Sequence, residues 1–166
     1  MKLSRRARYA LRMMVELSIQ TKDGSAASLS MVSEQTQISR RYLEQLAIPL
    51  KNASLIRGIT GKGGGYLLNH SPKRIRIGQI IEAAIGPINI VDCVLYPENC
   101  LQADCCECRW VYGTINQRIV DVLHELSLED LANRNSSNGL CRNLSFEASG
   151  CSTKNNSSSN LCKEDR

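Results

Sequence analysis

The sequence predicts a mainly α fold with a small β-hairpin: a winged helix-turn-helix domain followed by a long dimerisation helix. Three observations lead there. Two short helical patterns are joined by a three-residue turn, and the second opens on a serine. A glycine-rich turn between two β-leaning runs comes directly after them. Further on, beyond a cysteine-rich segment, lies the most regular apolar repeat in the chain.

Each element follows from local signals. The first helix is expected from Ser4 to about Thr21, with Ser4 as N-cap and with Ala7, Ala10, Met14 and Leu17 on one face, widened by Leu11. Asp23-Gly24 marks a turn. A short helix fits Ser30 to Thr36 with Ser30 as cap, then the turn Thr36-Gln37-Ile38. Ser39 caps the next helix, in which Tyr42, Leu43, Leu46 and Leu50 lie at helical spacing. Pro49 should kink or end that helix near Ala47, because an interior proline removes a backbone hydrogen bond at a cost of about 3 kcal/mol. Leu55 to Thr60 and Tyr66 to Leu68 form the hairpin around Gly61-Lys62-Gly63-Gly64-Gly65. That turn lacks both the spacing and the following helix of a nucleotide-binding P-loop. Ile77 to Ile85 is a helix stopped by Gly86-Pro87. The cysteine segment should be a loop. From Arg109 to about Ser127, Val111, Ile115, Ile119, Val122 and Leu126 recur at helical spacing, flanked by Trp110, Val120 and Leu123. That helix would be about 28 Å long, and its apolar surface is too wide for one small domain to cover, which points to a second subunit.

Composition narrows the function. The 166 residues suffice for one domain with an added dimerising element, and no run of about 18 uncharged apolar residues or secretory signal is present. The expectation is a soluble, cytoplasmic protein. The net charge of +5 is unevenly spread: residues 1–92 hold 14 Lys/Arg against 6 Asp/Glu, and residues 93–134 hold 3 against 7. A basic front half suits a polyanion, nucleic acid before membrane. Lys62 at the hairpin tip suits a phosphate or minor-groove contact.

Five of the eight cysteines, Cys93, Cys100, Cys105, Cys106 and Cys108, fall within sixteen positions. In a reducing compartment such thiols bind metal or sense redox state more often than they form disulfides. A zinc ribbon would pair two C-x-x-C knuckles, and the first pair here is too widely split. Spread single ligands ending in a tight pair suit an iron–sulfur cluster better, with zinc and unliganded redox thiols remaining open. Cys141, Cys151 and Cys162 lie in a Ser/Asn-rich tail and read as free, exposed thiols. His70 reads as a solvated loop residue and His124 as a surface or interface residue. No nucleophile–base pair or carboxylate dyad is placed by any element, so the chain is not expected to be an enzyme.

Taken together, MKLSRRARYAL, ISRRYLEQL, GKGGGYLL, the cysteine-bearing segment and a Trp-led helix closing on SLEDLANR resemble the IscR-type branch of the Rrf2 family of bacterial regulators, over about residues 1–134. The resemblance implies a homodimeric winged-helix transcription factor that binds double-stranded promoter DNA and carries an iron–sulfur cluster ahead of its dimerisation helix. It implies ligation by Cys93, Cys100 and Cys105, with Cys108 where that branch has a histidine and Cys106 as the alternate. A two-iron cluster is favoured, with a four-iron cluster as the alternative. An all-thiolate set would lower the reduction potential and remove a protonatable ligand. Another branch recruits an acidic residue of the partner's first helix; the matching position here is Arg8, which argues against that mode. For DNA, the resemblance points to Glu44, which can accept from a cytosine amino group, with Arg40, Arg41 and Tyr42 at the start of the same helix. The wing's usual arginine is Thr60 here, leaving Arg57 or Lys62 to take its place.

These readings divide the chain into a DNA-binding head (1–86), a cluster-binding segment (87–108), a dimerisation helix with a following short helix (109–134) and a tail (135–166). The expected function is operator binding controlled by an iron–sulfur cluster that answers to iron, redox state or nitric oxide, without a small-molecule substrate. The alternatives are a zinc- or thiol-based regulator without iron and, after it, a cluster-bearing electron carrier or enzyme.

Overall fold

The computed structural model describes residues 3–102 and 105–133. The expectations for the tail, including Cys141, Cys151 and Cys162, lie outside these residues. Helix α1 spans Arg5–Gln20 and begins as its sequence requires, the Ser4 hydroxyl accepting from the Ala7 amide at 3.2 Å. Its inward face is Ala7, Ala10, Met13, Met14 and Leu17, all fully buried. Helix α2 covers Leu29–Thr36 and is capped by Ser28, not Ser30. The earlier start puts Leu29, Val32 and Thr36 on one buried face and leaves Met31 outside. Gln37 closes α2 in the left-handed region, φ 57°.

Helix α3 runs over Arg40–Asn52 and passes through Pro49 without ending near Ala47. Leu46, Ala47 and Leu50 are buried on the α1–α4 core. Burying one leucine stabilises by about 1.5–3 kcal/mol, which offsets the proline's cost of about 3 kcal/mol. The carbonyl that Pro49 leaves without its helical donor belongs to Gln45, an exposed position where water can serve it.

Strands β1 (Ile56–Ile59) and β2 (Gly65–Leu68) pair antiparallel, Ile56 opposite Leu68 and Ile59 opposite Gly65. An isolated bridge adds Ala27 beside Tyr66, with both amide–carbonyl bonds made, at 3.0 and 2.8 Å. A Cβ on Gly65 would overlap the Ala27 carbonyl, so this close approach needs glycine. The hairpin is thereby fixed to the segment leading into α2.

Helix α4 has the expected bounds, Ile77–Ile85, and buries Ile77, Ile80, Ile81 and Ala84 against α1 and α3. The cysteine segment is not a plain loop. It holds a single helical turn, α5 (Asp92–Leu95), and a 3-10 turn, η1 (Pro97–Asn99). Asp92 in the first turn of α5 and proline opening η1 are the local causes. Helix α6 spans Glu107–Glu125, two residues earlier than the apolar repeat indicates at each end, so Cys108 lies inside it. The chain then returns to the head. Ile77 donates to the Leu126 carbonyl at 3.0 Å, Leu128 donates to that of Ile75 at 2.8 Å, and the Arg76 guanidinium donates to the Glu125 carbonyl at 3.0 Å. The last helix, α7 (Leu128–Ala132), packs on α1 with Leu128 fully buried.

Candidate nucleic-acid interface and cysteine segment

Helix α3 presents two faces. Leu43, Leu46, Ala47 and Leu50 point into the core, and Arg40, Arg41, Glu44, Gln45, Ile48 and Lys51 are exposed. Arg40 donates through Nε to Glu44 Oε1 at 3.1 Å, one helical turn along. Both side chains are more than half exposed, so this pair is worth at most about 1 kcal/mol; Arg40 is free to exchange it for a base edge or a phosphate, and Glu44 for a base amino group. Tyr42 is different. It is half-buried, with its ring edge-on to Tyr9 at 5.7 Å and 90°, and it fixes α3 to α1. Behind the turn, the Arg12 guanidinium donates to the Thr36 carbonyl at 2.8 Å, tying α1 to the end of α2.

The wing carries the remaining predicted residues. Thr60 and Lys62 are exposed at the turn, where Gly61 and Gly63 take positive φ of 105° and 81°. Arg57 is exposed on β1 and lines a cleft at the base of the wing, together with Lys22, His70 and Glu129. The wing and the outer face of α3 thus offer Arg40, Arg41, Arg57 and Lys62 as cations without a buried partner. Gln45 and Ile48 were not singled out from the sequence. Their spacing from Arg41 and Glu44 was the available signal, because residues three, four and seven apart share a helix face.

The five thiols of the cysteine segment are free; Cys93, Cys100 and Cys106 are half-buried, and Cys105 and Cys108 exposed. They lie on different local elements. Cys93 is in α5, Cys100 follows η1, Cys106 is the N-cap of α6 and Cys108 is in its first turn. Among the described residues, no three Cys, His, Asp or Glu side chains are gathered closely enough to hold a metal ion. The donor set therefore fits a thiolate-held metal centre in kind, while the arrangement is not pre-assembled. Neither α5 nor η1 buries a residue. What holds the segment is polar: Arg109 Nε donates to the Cys93 carbonyl at 2.9 Å, and Asn116 fastens the approach to α5. The Asn116 Oδ1 accepts from the Ile90 amide at 3.0 Å and its Nδ2 donates to the Ile88 carbonyl at 3.2 Å. A segment so lightly packed is the kind that a metal organises on binding.

Beside it, α6 turns an apolar face to solvent. Trp110 is 77% exposed and Ile115 46%, with Val111 and Tyr112 between them. A groove of about 470 Å³, lined by Ile115, Ile119, Val122 and Leu123, continues this face. Asn116, at the flank of this face, is the buried residue of the helix. His124 faces the head, its Nε2 3.5 Å from Glu82 Oε1, and its ring lies on Gly78, where a Cβ would collide with it. No helix among the described residues is long and apolar enough to cross a membrane.

Comparison with known proteins agrees with this architecture. The family model described as Rrf2, iron-dependent transcriptional regulator, matches residues 3–134. The transcriptional regulator CymR of Bacillus subtilis is 38% identical over 132 residues, covering 80% of this chain and 90% of the relative. The solved structure of CymR, the global cysteine regulator of B. subtilis, superposes with a TM-score of 0.66 at 36% identity, covering 80% of this chain and 96% of that one. The transcriptional regulator IscR of Pectobacterium carotovorum subsp. carotovorum is 32% identical over 133 residues, covering 80% of each.

Proposed function

We propose, from the premise that this chain belongs to the Rrf2 family of DNA-binding transcriptional regulators, that it is a homodimer whose operator affinity is set by an iron–sulfur cluster on the cysteine segment. Cys93, Cys100, Cys105 and Cys108 are its ligands, with Cys106 able to replace either of the last two. The observation that carries this reading is the position of the thiols. They run from behind a basic winged-helix head into the first turn of a helix with an uncovered apolar face, across two short turns, α5 and η1, that bury no residue. The cluster supplies redox-sensitive and iron-dependent ligation. The chain's own residues do the rest.

Asn116 and Arg109 join the cysteine segment to α6, and His124, Arg76 and the Ile77–Leu126 bond join α6 to α4, whose apolar face packs on α3. A change at the thiols thus has a continuous packed route to the recognition helix. A switch requires that the bound group favour one of two arrangements, and a segment without a core of its own is suited to having two. In the DNA-binding arrangement, Arg40, Arg41 and Glu44 meet the major groove, and Arg57, Thr60 and Lys62 meet the adjoining backbone or minor groove. Tyr42 supports α3 from behind.

The test is anaerobic purification followed by visible absorption, iron and sulfide analysis, and operator titration of the holo and apo forms. A coloured protein with stoichiometric iron and sulfide, and operator affinity that changes when the cluster is removed, is expected. A colourless protein with one zinc per chain, or operator binding that responds to thiol oxidation alone, would favour the zinc- or thiol-based regulator instead.

A further inference from the structure

The outer face of α3 is polar or charged at Arg40, Arg41, Glu44, Gln45 and Lys51, yet Ile48, in their midst, is 62% exposed. Nothing in the head covers it, and exposed as it is it contributes little to the core. Ile48 lies four residues after Glu44 and seven after Arg41, which places it within about 40° and 20° of them around the axis and about 6 Å beyond Glu44 along it. It is therefore on the same stripe as the groups proposed to meet base edges. In the major groove every base presents hydrogen-bonding groups, and thymine alone adds an apolar one, its C5 methyl.

We infer that Ile48 is a specificity-determining residue that packs on a thymine methyl, selecting T·A at one base pair of each half-site. The inference rests on the reading of α3 as the recognition helix. A β-branched side chain in a helix holds essentially one χ1 rotamer, so Ile48 is pre-set for contact and loses little freedom on making it. Arg41, Glu44 and Gln45 then read or exclude the neighbouring pairs by hydrogen bonding, and Ile48 adds a discrimination that none of them can make.

The experiment begins with an operator selected from random duplexes by the purified full-length dimer. Each thymine of that operator is then replaced singly by uracil, which removes the methyl and nothing else. Affinities are measured by fluorescence anisotropy for wild type and Ile48→Ala. Wild type is expected to lose roughly fourfold per half-site at one thymine, the factor that corresponds to about 0.8 kcal/mol per buried methyl group. Ile48→Ala is expected to lose the same factor on the thymine operator and to be indifferent to uracil at that position, with the salt dependence of binding unchanged because no phosphate contact is lost. Alanine at an exposed helical site keeps the fold, and an unchanged melting curve checks this. If wild type tolerates uracil everywhere, or Ile48→Ala keeps the wild-type uracil penalty, the inference is wrong while operator recognition stands. Failure to select any sequence would overturn the recognition-helix reading and this inference with it.

Discussion

Gly65 shows how much one residue decides in this head. Its missing side chain lets β2 lie against Ala27, and the two amide–carbonyl bonds there anchor the wing to the start of α2. Gly65→Ala is expected to destabilise the protein by more than about 1 kcal/mol and to weaken operator binding by misplacing Lys62; urea unfolding and anisotropy titration measure the two effects. Ser127 and Asp130 form a reciprocal cap on α7. The carboxylate accepts from the Ser127 amide at 2.9 Å and its hydroxyl at 2.6 Å, and the hydroxyl accepts from the Asp130 amide at 3.3 Å. The hydroxyl and then the amide of Ser127 hold the Asp130 carboxyl below its usual range. A depressed folded-state pKa contributes stability above the ordinary carboxylate value, and that stability is lost as pH falls through the lowered one. Ser127→Ala should therefore cost about 1 kcal/mol near neutrality, and its difference from wild type in thermal unfolding should narrow in acid. Ser4 and Gly24 were legible as cap and turn because their signals are local. Ser28 was not preferred over Ser30, because the choice depends on Leu29 finding the core.

At the scale of elements, α6 is joined to the cysteine segment by Asn116, a polar residue buried to 7% exposure on an otherwise apolar-periodic helix. Asn116→Leu would leave the Ile90 amide and the Ile88 carbonyl unpaired, at about 1–3 kcal/mol. Denaturant unfolding should show that loss. Because Ile90 lies three residues from Cys93, the proposed cluster should also be lost from the variant faster in air than from wild type, read as decay of visible absorption. The periodicity of α6 was plain in the sequence, but not which side faces inward. Its apolar stripe was expected to exceed what one small domain can cover, and Trp110, Val111, Tyr112 and Ile115 are accordingly exposed in the single chain. Helix α3 gives the converse lesson. Pro49 argued locally for an end near Ala47, and the burial of Leu50 carried the helix on to Asn52.

For the whole molecule, the exposed face of α6 and its groove set the expected assembly. On the proposed dimer, Ile115→Glu should place a charge in the middle of that face, give monomers in light scattering, and reduce operator affinity by at least tenfold, because two linked half-sites bind more tightly than one. Melting of the monomer's head should change little, since Ile115 touches none of the core. Operator affinity of the wild-type protein should fall steeply with salt, as cations on α3 and the wing release counterions from phosphates.

By itself, the sequence determined the order and type of the main elements: a capped α1, a helix-turn-helix pair, a glycine-turned hairpin, α4 bounded at Ile77 and Ile85, and a long apolar-striped helix. These depend on contacts among residues a few positions apart, so short-range spacing records them. It also determined the chemistry on offer, basic side chains ahead and five thiols behind. Tertiary structure alone decided that Gly65 must be glycine, that Tyr42 braces α3 from inside while Ile48 stands outside it, that α7 returns to complete the core on α1, and that Asn116 and Arg109 fasten the thiol segment to α6. Each of these couples residues distant in the chain, and their pairing depends on which buried faces meet when the helices pack.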